Sequence, residues 1–203
     1  ITCEASVMVA MAAHAPTLII NTAAYTAVDL AETDPDAAFA ANRDGPMALA
    51  HAAQRGGARL VQLSTDFVFD GRDSSPYPPD APTTPLSVYG RSKRAGEEAA
   101  GAEALILRTA WVHAAGGRNF VRTMLRLMAE QDEVRVVADQ IGAPTWATSL
   151  AETIWALALQ GHSGIWHHTD SGTASWLRGS ARPGKGISTS GAPPGVLARI
   201  ARL

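Results

Sequence analysis

The chain has 203 residues, 46% hydrophobic and 18% charged, with a formal net charge of −2. That suits one compact domain, or a domain with a small added lobe, and excludes a nucleic-acid or anionic-membrane binder driven by net charge. The single cysteine, Cys3, excludes an intramolecular disulfide or a cysteine-rich metal site and fits a cytoplasmic setting.

The chain reads in order as alternating helices and strands. Residues 5–14, rich in Ala and Met, predict a short helix, and 17–21 a buried strand. The Ala-rich stretch 35–54 predicts one helix stopped by Gly56 and Gly57, followed by a strand over 59–64. Residues 66–87 hold Gly71 and a run of prolines. They predict a long loop, and long loops inside compact domains are usually functional. Helices are predicted over 88–100, 119–130 and 147–159, and strands over 104–108, 134–137 and 164–167. Such alternation, with short continuous apolar strands, indicates an α/β fold with a parallel sheet covered on both faces. No apolar run approaches the roughly 18 residues of a membrane-spanning helix, and no leader pattern opens the chain. It does not begin with Met, which points to a fragment. All 19 acidic residues precede Leu177, whereas five of the 17 Lys and Arg follow it. Residues 1–176 are therefore expected to form the folded body, and 177–203 an irregular basic tail.

Two constellations can carry chemistry. Tyr89 and Lys93 are four apart on a predicted helix, hence on one face and one turn from each other. A nearby ammonium favours a phenolate, which lets a Tyr exchange a proton near neutrality. Ser64-Thr65-Asp66 follows a predicted strand, and ligands in open parallel sheets sit beyond the carboxyl ends of strands. Either constellation alone is an ordinary helix pair or an ordinary strand-end turn. Other features are weaker. Gly179 to Lys185 imitates a phosphate loop but lacks the following hydroxyl residue. His167 and His168 are adjacent, so on a strand they face opposite ways. Met124, Leu125 and Met128 read as core, and Asp132-Glu133 and Glu97-Glu98 as solvated faces.

Together the two constellations have the order used by short-chain dehydrogenases, and seven motifs sharpen the likeness. They are Asn21-Thr-Ala-Ala-Tyr-Thr-Ala-Val-Asp29, Ala41-Asn-Arg-Asp-Gly45, Ser64-Thr-Asp-Phe-Val-Phe-Asp-Gly71, Pro85-Leu-Ser-Val-Tyr-Gly-Arg-Ser-Lys93, Arg108-Thr-Ala-Trp-Val112, Asn119-Phe-Val-Arg-Thr-Met-Leu-Arg126 and Asp139-Gln-Ile-Gly-Ala-Pro-Thr145. In that order they resemble the dTDP-4-dehydrorhamnose reductases, within the extended short-chain dehydrogenase/reductase family, over roughly residues 1–176.

The resemblance implies an incomplete Rossmann-like, doubly wound parallel sheet lacking its first two strands, with a partial substrate lobe. It implies reduction of the 4-keto group of dTDP-4-dehydro-L-rhamnose by NADPH or NADH. Tyr89 would protonate the developing alkoxide, Lys93 would lower the Tyr pKa and bind the nicotinamide ribose, and Thr65 would hold the carbonyl oxygen. Asp66, Trp111, Gln140, Pro144 and Thr145 would contact the sugar nucleotide. Ala24, Tyr25 and Thr26, with Tyr89 and Lys93, would lie along the cofactor. Magnesium enters through the resemblance alone, and a homodimer is compatible with it. A nucleotide sugar is the expected partner, with neither nucleic acid nor membrane. No GxGxxG or GxxGxxG occurs in the chain, so weak dinucleotide binding and feeble turnover are expected. The alternatives are a non-catalytic subunit of the same fold, like the regulatory subunit of methionine adenosyltransferase, or an epimerase, dehydratase or reductase acting on another nucleotide sugar.

Overall fold

The computed structural model describes residues 1–176 apart from Ser74, Arg118 and Ala138. The expected basic tail and the phosphate-loop imitation lie outside the described residues. The chain divides into two compact units, each built around its own elements. The first comprises Ile1–Asp70, Pro79–Arg108 and Thr153–His167, and the second Gly71–Pro78, Thr109–Glu152 and, of the described residues, 168–176.

The first unit holds α1 (Glu4–His14), β1 (Leu18–Asn21), α2 (Val28–Ala31), α3 (Pro35–Phe39), α4 (Gly45–Gly56), β2 (Arg59–Thr65), α5 (Val88–Ala100), β3 (Leu105–Thr109) and, after the second unit's segment, β7 (Gly164–His167). The sheet order is β1-β2-β3-β7, with β1 parallel to β2 and β3 parallel to β7. Strands added in chain order along one direction are what one half of a doubly wound sheet provides. β1 ends the sheet, and among the described residues its partner is β2, in the register Leu18 to Arg59 through Asn21 to Gln62. α1 drives Val7 and Met11 onto Ala48, Leu49, Ala52 and Ala53 of α4, and Leu60 and Ile106 of the strands complete this core.

One expected element changes character. The single helix expected over 35–54 is three pieces, because residues Ala40–Asp44 form a π-helical turn between α3 and α4. A π turn carries one residue more than an α turn, and such bulges cluster at functional sites. Here the turn carries Asn42, which is buried. Across from it Gly96 of α5 comes so close that a Cβ there would strike the Asn42 carbonyl oxygen.

The second unit is built from short pieces. β4 (Val112–His113) runs parallel to β6 (Thr145–Trp146), and β5 (Ile141–Gly142) antiparallel to β8 (Ala174–Ser175). α6 (Phe120–Glu130) is capped by Asn119, whose side chain accepts from the Arg122 N–H at 3.0 Å. α7 (Ala147–Leu159), which belongs to this unit up to Glu152 and to the first unit from Thr153, starts where Asp170 accepts hydrogen bonds from Trp146 N–H and Ser149 Oγ. The strand expected over 134–137 is a single bridge at Arg135. Val134 and Val136 instead sink into the cluster of Met124 and Met128, so their alternation marked a buried side without a ladder. Leu125, expected in that core, is half exposed.

Candidate functional site

The first unit gathers its polar residues at the carboxyl end of β2. Thr65 is the last residue of that strand, and Asp66–Val68 turn away from it as a single 3-10 turn. α5 begins at Ser87, whose side chain accepts from the Gly90 N–H at 3.0 Å, and it packs on β2 and on this turn. Tyr89, Lys93 and Glu97 therefore share one face of α5 at successive i, i+4 steps, and all three are buried.

Phe67 stands edge-on to the Tyr89 ring at 5.5 Å between centroids, and the Thr65 hydroxyl is an influence that lowers the Tyr89 pKa. Thr65 Oγ1 donates to Asp66 Oδ1 at 2.8 Å and accepts from the Phe67 N–H at 3.2 Å. Lys93 Nζ donates to the Leu63 carbonyl at 2.7 Å. Burial lowers the Lys93 pKa to about 8, while the Glu97 charge opposes the shift. The phenol departs from the sequence expectation: burial, together with the Asp66 charge, pushes Tyr89 up to about 12 against the lowering influence of the Thr65 hydroxyl, and Lys93 is not among the causes. The amine is turned toward Leu63, so in this structure it does not supply the ammonium effect that spacing alone suggested. Asp66 is enclosed, with Oδ2 unpartnered, and burial pushes it up to about 6.

Buried polar pairs brace this arrangement. Glu97, expected on a solvated face, is 6% exposed and paired in two places with Arg108, at 2.8 Å to Nε and 2.7 Å to Nη2. Ser64 Oγ also donates to Glu97. The pair replaces lost hydration, as burial of a charge demands; Glu98, by contrast, is exposed and meets Arg94. Asn42 accepts from the Tyr25 N–H at 2.8 Å and donates to the Tyr25 carbonyl at 3.0 Å and to Ser92 Oγ at 2.9 Å. Ser92 in turn donates to the Tyr89 carbonyl. The loop after β1 is thus tied through one amide to the helix bearing Tyr89. Ala24 and Tyr25 in that loop are half buried and Thr26 is exposed.

In the second unit Trp111 adopts φ 50°, left-handed for a bulky residue and worth about 1–2 kcal/mol of strain. Its indole stacks on Trp176 at 3.5 Å, and Gly142 makes room for it, since a Cβ there would lie 2.6 Å from the ring. Trp111 and Pro144 line a small apolar recess of about 70 Å³ with His113, Phe120, Val121 and Trp176. Gln140 Oε1 accepts from Trp176 Nε1 at 2.9 Å. Thr145 is fully buried, with its hydroxyl toward the Ala143 carbonyl, a packing position rather than a place on the recess wall. The two histidines take separate partners: His167 lies by Phe69 and Arg108 of the first unit, and His168 by Ser149 and Asp170 of the second. No group of three or more His, Cys, Asp or Glu among the described residues is arranged to hold a metal ion.

The profile of the RmlD substrate binding domain family matches residues 1–182. The chain belongs to this family. A relative in Streptomyces griseus, a dTDP-4-dehydrorhamnose reductase, is 50% identical over 186 residues, 87% of this chain and 61% of its own. A probable dTDP-4,6-dihydroxy-2-methyloxan-3-one 4-ketoreductase of Streptomyces antibioticus is 47% identical over 183 residues, 87% of this chain and 61% of its own. The crystal structure of dTDP-4-dehydrorhamnose reductase from Bacillus anthracis in complex with NADP superposes with a TM-score of 0.85 at 38% identity, covering 88% of this chain and 65% of that one. The chain thus spans about three fifths of the length of the curated relatives it matches.

Of the residues expected from sequence, the structure brings Thr65, Asp66, Tyr89 and Lys93 of this RmlD-family chain together in the first unit, and Trp111, Gln140 and Pro144 in the second. Sequence reasoning missed Asn42, Glu97, Arg108 and Ser92. Glu97 was within reach, because it continues the Tyr89–Lys93 face by one more turn.

Proposed function

We propose that this RmlD-family chain carries the catalytic residues of an NAD(P)H-dependent reductase that converts the 4-keto group of dTDP-4-dehydro-L-rhamnose to the alcohol of dTDP-L-rhamnose. The observation that carries the reading is buried Tyr89, with Lys93 one turn further along α5, on the helix that packs against β2 and the turn holding Thr65 and Asp66 at its carboxyl end. When bound, the reduced nicotinamide supplies hydride to the carbonyl carbon.

The chain's residues supply the rest. Tyr89 keeps its proton at neutral pH, the form from which a keto oxygen is protonated. Thr65 offers a hydroxyl where negative charge develops on that oxygen. Lys93 uses one N–H on Leu63, and an ammonium carries three donors, so two fit the ribose hydroxyls of a dinucleotide. Asn42 fixes Tyr25 in the loop expected along the cofactor. Trp111, Pro144 and Gln140 are assigned to the sugar nucleotide. The residue after Asp66 is Phe67, which has no proton to exchange, and this disfavours a dehydratase. A cytoplasmic location belongs to the proposal; no described helix is long and apolar enough to cross a membrane.

The test is conversion of dTDP-4-dehydro-L-rhamnose at high NADPH, with product followed by mass spectrometry so that slow turnover is visible. Tyr89→Phe is expected to lower the rate at least about 100-fold, the lower range for removing a general acid. No product from the intact chain, or an unchanged rate in the variant, overturns the proposal.

A further inference from the structure

The residues assigned to the sugar nucleotide in the second unit are already in use. The Trp111 indole carries the Trp176 ring at 3.5 Å between centroids and 16° between planes. Gln140 Oε1 accepts from Trp176 Nε1 at 2.9 Å, and Phe120 leans on the same ring at 4.3 Å. Gly142 is packed against the Trp111 ring as well. What is left beside Trp111 and Pro144 is about 70 Å³, whereas small-molecule sites run to roughly 300–1,000 Å³. The stacking face of Trp111 and the carbonyl oxygen of Gln140 are thus both spent on one side chain of the chain itself.

The hold is of a kind that opens. Aromatic side chains prefer offset or edge-on contacts, with centroids about 4.5–7 Å apart, to a face-to-face sandwich. Two indoles so nearly superposed press electron-rich faces together. A nucleobase is poorer in π electrons and stacks readily on an aromatic side chain, so on the same indole it is the better occupant. The Gln140 amide offers a carbonyl oxygen and an N–H side by side, which suits the edge of a base as well as it suits the indole N–H. Trp176 follows β8, whose two residues pair with β5 through Ile141 with Ser175 and Gly142 with Ala174. A ladder that short resists opening weakly.

We propose that Trp176 is an internal stand-in for the nucleobase: its ring closes a base subsite on Trp111 and Gln140, and the base of the substrate takes that place when the ring swings off. The proposal rests on the reading that Trp111 and Gln140 contact the sugar nucleotide. A nucleotide binds the open state alone and so shifts the population toward it. Its apparent affinity is reduced by the fraction of the chain that is open. In return, the unliganded chain keeps an aromatic platform covered that would otherwise stand as an exposed apolar patch.

The test is calorimetric titration of the intact chain with dTDP, beside Trp176→Ala and Trp111→Ala. An open subsite populated about one tenth of the time makes Trp176→Ala bind about tenfold tighter than the native chain, whereas Trp111→Ala binds more weakly. Trp176→Phe keeps a ring but not the N–H that Gln140 holds, so it tightens binding by less, and it decides the sign if the Ala variant does not fold. Equal or weaker binding by a folded Trp176 variant makes the ring a wall of the subsite and overturns the proposal.

A second measurement reads the ring directly. The chain labelled with 5-fluorotryptophan gives five fluorine signals, one for each Trp, and Trp176→Phe assigns one of them. The shift of that signal between water and deuterium oxide reports solvent contact of the ring. It is expected to grow when dTDP saturates the native chain, because the ring leaves its stack. A smaller or unchanged isotope shift at saturating dTDP overturns the proposal while leaving the nucleotide reading of Trp111 intact. Native affinity in Trp111→Ala, or no binding of dTDP by any of the proteins, sinks that reading and the stand-in together.

Discussion

Arg108→Met removes the cation that keeps Glu97 inside the first unit. In the native chain the two side chains are 2% and 6% exposed and share two charge-assisted hydrogen bonds, at 2.8 and 2.7 Å. Methionine keeps an unbranched apolar stem but none of the donors, nor the guanidinium that lies over the Phe69 ring at 5.0 Å. Ser64 alone then serves a buried carboxylate. Stranding one member of such a pair costs about 3–5 kcal/mol, a large part of the whole stability of a domain. Glu97→Met/Arg108→Met removes both charges and fills the space with apolar groups, so it is expected to cost less than Arg108→Met alone. Urea unfolding followed by the emission of Trp155 and Trp166, both in the first unit, measures the two variants and Glu97→Met. A loss below about 1 kcal/mol for Arg108→Met, within the range of an exposed pair, refutes the reasoning. So does a double variant whose loss equals the sum of the singles, because that would mean no coupling between the partners.

Two further predictions concern the sites themselves. Asp66 has a folded pKa of about 6 against an ordinary 3.8, so between those values the folded state binds more protons than the unfolded one. Stability contributed by this group therefore falls as pH rises from about 4 to about 6, by about 3 kcal/mol at about 1.36 kcal/mol per unit. Asp66→Asn should be more stable than the native chain at pH 7 and flatter over that window; thermal melts at pH 4, 5, 6 and 7 that run parallel for the two proteins contradict this. Gly142→Ala puts a methyl 2.6 Å from the Trp111 indole, so the ring must leave its stack on Trp176. Weaker dTDP binding by calorimetry with an unchanged far-ultraviolet spectrum is expected, and native affinity would show that Trp111 has no part in holding the nucleotide.

Much of the first unit is legible in the sequence because its signals are local. Ser87 caps and Gly101 follows a helix whose span matches the predicted 88–100, and the Tyr89–Lys93 spacing places both side chains on one face. The π-helical turn is not legible, since an Ala-rich stretch reads as a regular α-helix and the extra residue is selected by bonds to Tyr25 and Ser92, 17 residues back and 50 residues ahead of Asn42. Glu97 was misread for a related reason: a carboxylate on a charged helix is usually solvated, and only the fold brings Arg108 beside it. The two-residue strands of the second unit carry too few positions for any alternation to register. The phenol's upward shift was hidden because it follows from enclosure and from the Asp66 charge, neither of which the Tyr89–Lys93 spacing encodes.

The π turn at Ala40–Asp44 also makes the protein's register intolerant of tidying. Deleting one residue there would restore regular α geometry and locally better backbone bonding, yet it would rotate everything on one side by about 100° relative to the other. The Asn42 amide would then swing off its three polar partners. A stabilisation campaign that rewards ideal helices would select that deletion and, in the same stroke, uncouple the β1 loop from the helix that presents the phenol.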